Sequence, residues 1–146
     1  MAGELSRLRD VHDEELDAWG LCARSDMEIV DRATRDRVIA LLELAIERDP
    51  SFAYAHSLLA WKITFIVFHQ LTRDVERVRE RALTATKAAL SLAPTNIVVL
   101  NNASAVHRVL GDPILAVQYA ERASEQRGEP VTALPNALLV SHRYEE

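Results

Sequence analysis

The side chains able to ligate a metal, move a proton or attack a carbonyl are few: His12, His56, His69, His107 and His142, with a single cysteine, Cys22. Each is weighed by its spacing to a partner. His12 and Glu15 stand one helical turn apart and could share a surface cation, but a working zinc site takes three or four protein ligands. His56 and His69 fall in one apolar stretch, thirteen residues apart, which places them on nearly opposite faces of a helix. Cys22 has no histidine at a recognisable spacing to activate it, so it is expected to pack as a small buried hydrophobe. The sequence contains no H-E-x-x-H, C-x-x-C, G-x-S-x-G or G-x-G-x-x-G, the spacings that build zinc, redox, acyl-transfer and dinucleotide sites. The expectation is a non-catalytic chain with no cofactor and no bound metal.

Charge narrows the partners further. The stretch Thr72-Arg-Asp-Val-Glu-Arg-Val-Arg-Glu-Arg81 is rich in arginine, but its signs alternate and no aromatic residue is interleaved for stacking on bases. It reads as a solvated helix face over a buried stripe of Val75, Val78 and Ala82. The net charge of −5 argues against a nucleic-acid surface, which needs a concentrated basic stripe. The longest apolar run, Ile63–Phe68 with Thr64 inside it, is too short to span a bilayer. The opening MAGELSRLRDVHDEELD has no apolar core of a signal peptide. One cysteine forbids an internal disulfide and suits a reducing compartment, so a cytoplasmic location is expected, with neither nucleic acid nor membrane as partner.

Helices must position whatever these residues do. The 146 residues include four glycines, strand-type alternation is nearly absent, and helical periodicity recurs. Val38, Leu41, Leu42, Ala45 and Ile46 share one face. Thr34 is placed to cap that helix, and Asp49-Pro50 ends it, because the residue before a proline leaves the α region. Thr72 precedes a helix with Asp74 and Glu76 in its first turn, where the dipole favours anions. At Gly111-Asp112-Pro113 a glycine ends one helix, an aspartate caps the next and a proline takes its first position. The expected helices lie near residues 13–30, 34–48, 52–70, 73–92, 96–110 and 113–127, with a last one starting near Pro135.

The helices pair, and the pairs repeat. Ala45-Ile46-x-x-Asp49-Pro50 is followed by Ala53-x-Ala55-His56-x-x-Leu59-Ala60-x-x-Ile63. Ala89-Leu90-Ser91-Leu92-Ala93-Pro94 is followed by Ile97-x-Val99-Leu100-x-x-Ala103-Ser104-x-x-His107, then Gly111-Asp112, Ala116, Ala120 and Ala123. This pattern resembles the tetratricopeptide repeat, a 34-residue helix pair. Residues 97–128 match without a gap, with Gly128 where proline is usual. Residues 53–94 match at both ends around about ten extra residues. Residues 16–50 match loosely through Trp19, Cys22, Ala23, Val38, Leu42, Ala45 and Pro50. The array is similar in detail to those accompanying bacterial adenylyl cyclases and winged-helix transcriptional regulators. The tail, EPVTALPNALLVSHRYEE, does not fall on a fourth repeat and is assigned as a C-terminal capping segment, 129–146.

The resemblance implies an all-α fold: one domain over 1–146, a right-handed superhelical array of about three antiparallel helix pairs plus a terminal helix. Small residues such as Ala53, Ala55 and Ser57 would let successive pairs approach closely. It also implies a binding module that holds a protein or peptide partner on its inner face. That face would carry Tyr54, Ser57, Trp61, Thr64 and Phe65 in the middle repeat, and Val98, Asn101, Ala105, Arg108 and Val109 in the third. A regulatory or oligomerisation domain of a bacterial signalling protein is the alternative, and a small-molecule sensor or enzyme with a groove site is a third. Phe65, Ile66 and Phe68 spread around their helix and cannot all face one neighbour. The tail offers a matching apolar surplus in Leu138, Leu139 and Val140. Self-association as a homodimer through Phe68, Leu138 and Leu139 is therefore expected, with the tail folding back as the other solution.

Overall fold

A computed structural model describes residues 12–13 and 16–128. The described chain is all-helical: α1 (Ala18–Met27), α2 (Arg35–Arg48), α3 (Ala53–Phe68), α4 (Val75–Leu92), α5 (Ile97–Val109) and α6 (Pro113–Arg127). No strand occurs among the described residues. The capping segment 129–146, with Leu138, Leu139, Val140 and His142, lies outside them, as does Glu15.

Most helix ends follow local chemistry. Asp74, Asn96 and Asp112 cap α4, α5 and α6, each accepting a bond from the backbone N–H three residues on. Each satisfies a donor that the first turn leaves without a partner. Pro113 takes the first position of α6, and Gly111 precedes the cap with φ +90°. The end of α3 is less usual. The Leu71 N–H bonds the Ile66 carbonyl at 2.9 Å and the Gln70 N–H bonds that of Val67 at 3.1 Å, a Schellman closure. Its left-handed position is held by Gln70, φ +56°, where glycine would sit without strain.

Two expectations at the N-terminal end are corrected. The first helix runs 18–27, not 13–30, because Asp17 caps it by accepting the Gly20 N–H at 2.8 Å. Beyond its end, Thr34 does not cap α2 through its side chain. Its hydroxyl donates instead to the Ile29 carbonyl and accepts from the Asp31 N–H. The Asp31 carboxylate accepts the Ala33 and Thr34 N–H groups, which holds it below the usual carboxylate range, chiefly through the bond from the Thr34 backbone.

Each helix packs on the next in sequence, and the odd-numbered helices also touch, α1 with α3 and α3 with α5. The apolar stretch at 53–68 is the hub. It meets four neighbours, which explains why it is apolar around its circumference. Leu21, Val38, Leu42, Ile63, Leu100 and Val106 are fully buried; each such side chain contributes about 1.5–3 kcal/mol. Where helices cross, the buried residues are small: Ala55, Ser57, Ala82, Ala89, Ala103, Ala116 and Ala123. A larger side chain there would force the helices apart.

The buried stripe expected on α4 is shorter than Val75, Val78 and Ala82. Ala82 is buried, Val78 half-buried and Val75, at the first position of α4, exposed. Trp19 is also 46% exposed, so the bulky place of the first pair is not a core position.

Candidate functional site

The ends of α3 and α5 frame a groove of about 520 Å3. Trp61, Phe65 and Phe68 supply its aromatic wall from α3, with His69 at the helix end; Arg108 and Val109 come from the last turn of α5. Phe68 stands 63% exposed at the mouth. The His69 ring lies 4.0 Å from that of Phe65 and meets Phe68 edge-on at 4.9 Å, centroid to centroid. The apolar run Ile63–Phe68 continues past the buried Ile66 to the exposed Phe68, while Trp61 and Phe65 also pack against the core. Arg108 is exposed and forms no ion pair among the described residues.

Of the residues expected on the inner face, Trp61, Phe65, Arg108 and Val109 meet in this groove. Thr64 contributes to its wall but is fully buried, its hydroxyl donating to the Ala60 carbonyl at 2.8 Å. Phe68, expected at a self-association surface, belongs to the same groove. His69 was not among the expected residues; it follows directly on the apolar run, which was the signal for it.

The others stand elsewhere. Ser57 is 2% exposed and accepts a hydrogen bond from Asn102 Nδ2 at 2.9 Å. Its hydroxyl ties α3 to α5 and is not offered to a ligand. Tyr54 is half-buried between α3 and α1. Its hydroxyl faces Asp26 at 3.4 Å, and Lys62 Nζ lies 3.6 Å from the same carboxylate. Burial, with Asp26 alongside, pushes the Tyr54 phenol up to about 12. Val98 and Asn101 are exposed on α5 and Ala105 is half-buried, all outside the groove lining.

The reactive side chains remain scattered. Cys22 is fully buried, and desolvation pushes its thiol up to about 12, so it stays protonated and packs as a hydrophobe. His56 is half-buried at the rim, with Nε2 2.9 Å from the Pro50 carbonyl oxygen. His107 stacks on Tyr119 at 5.4 Å, and burial lowers its pKa against the opposing charge of Asp112. Among the described residues no group of three or more His, Cys, Asp or Glu side chains could hold a metal ion. None of their helices is long and apolar enough to cross a membrane.

No family model matches this chain, and a search of curated proteins returns no match.

Proposed function

We propose that the chain is a non-catalytic interaction module of tetratricopeptide-like architecture, a right-handed superhelix of three helix pairs that holds a segment of a protein partner. The aromatic groove between the ends of α3 and α5 carries the proposal. Its volume of about 520 Å3 is within the range of a few buried side chains of a bound segment, and aromatic anchors dominate the energetics of such contacts. Contacts between first helices of successive pairs, α1 with α3 and α3 with α5, support the solenoid reading. Arg108 selects a segment whose apolar anchor is accompanied by an acidic group, since a guanidinium favours a carboxylate partner.

The test is selection of peptides from a displayed random library, followed by binding measurements on two variants. Selected peptides are expected to lose at least about tenfold in affinity to Phe68→Glu and to Arg108→Glu. Neither side chain is buried, so both variants should retain the wild-type melting temperature. Peptides that bind both variants as tightly as wild type would place recognition outside the groove.

A second copy of the chain is the rival occupant, favoured by the exposure of Phe68 at the groove mouth. A two-fold pairing through this surface would make the module a dimerisation device.

A further inference from the structure

A second cavity, of about 440 Å3, lies between the loop joining α1 to α2 and the loop joining α3 to α4. Its lining is polar and dominated by cations: Arg32 from the first loop, Arg35 from the start of α2 and Arg73 from the second loop. The lining holds three arginines and one acid, Asp74, so it carries two net positive charges on a chain whose net charge is −5. Such a local reversal focuses potential on the cleft and concentrates anions there.

The acids nearby are engaged or turned outward. Asp74 Oδ1 accepts the Arg77 N–H as the cap of α4. Asp36 is 92% exposed at its side chain and stands 3.8 Å from Arg35, the limit of an ion pair and one that solvent screens. Asp31 keeps its charge, but its carboxylate is turned onto the Ala33 and Thr34 N–H groups and does not line the cleft. Arg32 and Arg73 form no ion pair among the described residues. The remaining polar lining can donate as well. Thr72 Oγ1 accepts the Asp74 N–H at 3.2 Å, leaving its own proton to give, and the Gln70 carboxamide adds two N–H donors.

We propose that this cleft binds a small soluble polyphosphate of the diphosphate or triphosphate class. Forked guanidinium donors match phosphate oxygens in pairs. Arginines from two loops fit adjacent phosphoryl groups better than one isolated anion. The site is separate from the α3–α5 groove and does not depend on what that groove holds.

Isothermal titration calorimetry with inorganic pyrophosphate, a nucleoside triphosphate and sulfate tests it on the full chain. Pyrophosphate is expected to bind at least tenfold more tightly than sulfate. Arg32→Ala and Arg73→Ala should each weaken it about tenfold, and added salt should weaken it in all three proteins. Arg122→Ala removes the same charge from an exposed site that contacts Pro94 and Tyr119, and should leave binding unchanged. Tighter binding of the triphosphate would assign the rest of the cavity to its nucleoside, and equal binding would assign the cleft to the diphosphate alone. Absence of pyrophosphate binding, sulfate binding as tight as pyrophosphate, or equal weakening by Arg122→Ala would overturn the proposal.

Discussion

Replacing Asn102 by alanine removes a side-chain hydrogen bond that joins α3 to α5, the two helices that frame the groove. The bond runs from Asn102 Nδ2 to Ser57 Oγ at 2.9 Å, and Ser57 is 2% exposed. Its net worth is about 1 kcal/mol, but stranding a buried hydroxyl costs about 1–3 kcal/mol. Asn102→Ala is therefore expected to destabilise by about 2 kcal/mol. Ser57→Ala should cost less, about 0.5–1 kcal/mol, because the half-buried Asn102 amide can turn to water. The double variant should show a coupling of about 1 kcal/mol. Urea unfolding followed by circular dichroism measures all four corners of the cycle, and each kcal/mol should also lower the melting temperature by about 4 °C. A coupling under about 0.3 kcal/mol, or a larger loss from Ser57→Ala than from Asn102→Ala, would refute the idea that this bond joins the two walls.

Ala89→Leu should destabilise by about 1–3 kcal/mol, because Ala89 is 1% exposed on α4; an unchanged denaturation midpoint would mean that the crossing has room. Gln70→Gly should stabilise by about 0.5–1 kcal/mol, since φ +56° strains any residue with a Cβ, and a loss in urea midpoint would show that the Gln70 side chain outweighs its backbone strain. Burial holds folded His107 below its ordinary value of 6.5, so the unfolded chain takes up the proton first. The stability from the neutral ring is present above pH 6.5 and declines as pH falls through the interval down to the folded pKa. His107→Phe, which keeps a ring against Tyr119, should flatten that part of the pH–melting profile. The rival reading, a second copy in the groove, requires sedimentation equilibrium at micromolar concentration to show a dimer that Phe68→Glu converts to monomer, and a wild-type monomer whose mass the substitution does not change would rule it out.

The sequence by itself determined the helices and most of their ends. Asp112-Pro113 after Gly111 needs only its own neighbours to cap a helix, so its spacing is legible without tertiary contacts. The face of Val38, Leu41, Leu42 and Ala45 was equally legible, because periodicity marks which side is apolar. The repeat register sets Trp61, Phe65 and Arg108 on one expected face, and the three line one groove. Tertiary structure decided the rest. Ser57 looked like a contact residue until α5 brought Asn102 onto it from 45 positions away. Thr34 stood at a capping place, but the Ile29 carbonyl competed successfully for its hydroxyl. Arg73 looked like part of a solvated charge run, and only the approach of two loops set it beside Arg32 and Arg35. Local hydrogen bonding and periodicity act over one or two turns and are written in neighbouring residues. Which side chain meets which across helices depends on how the backbones cross, and residue spacing carries no direct record of that.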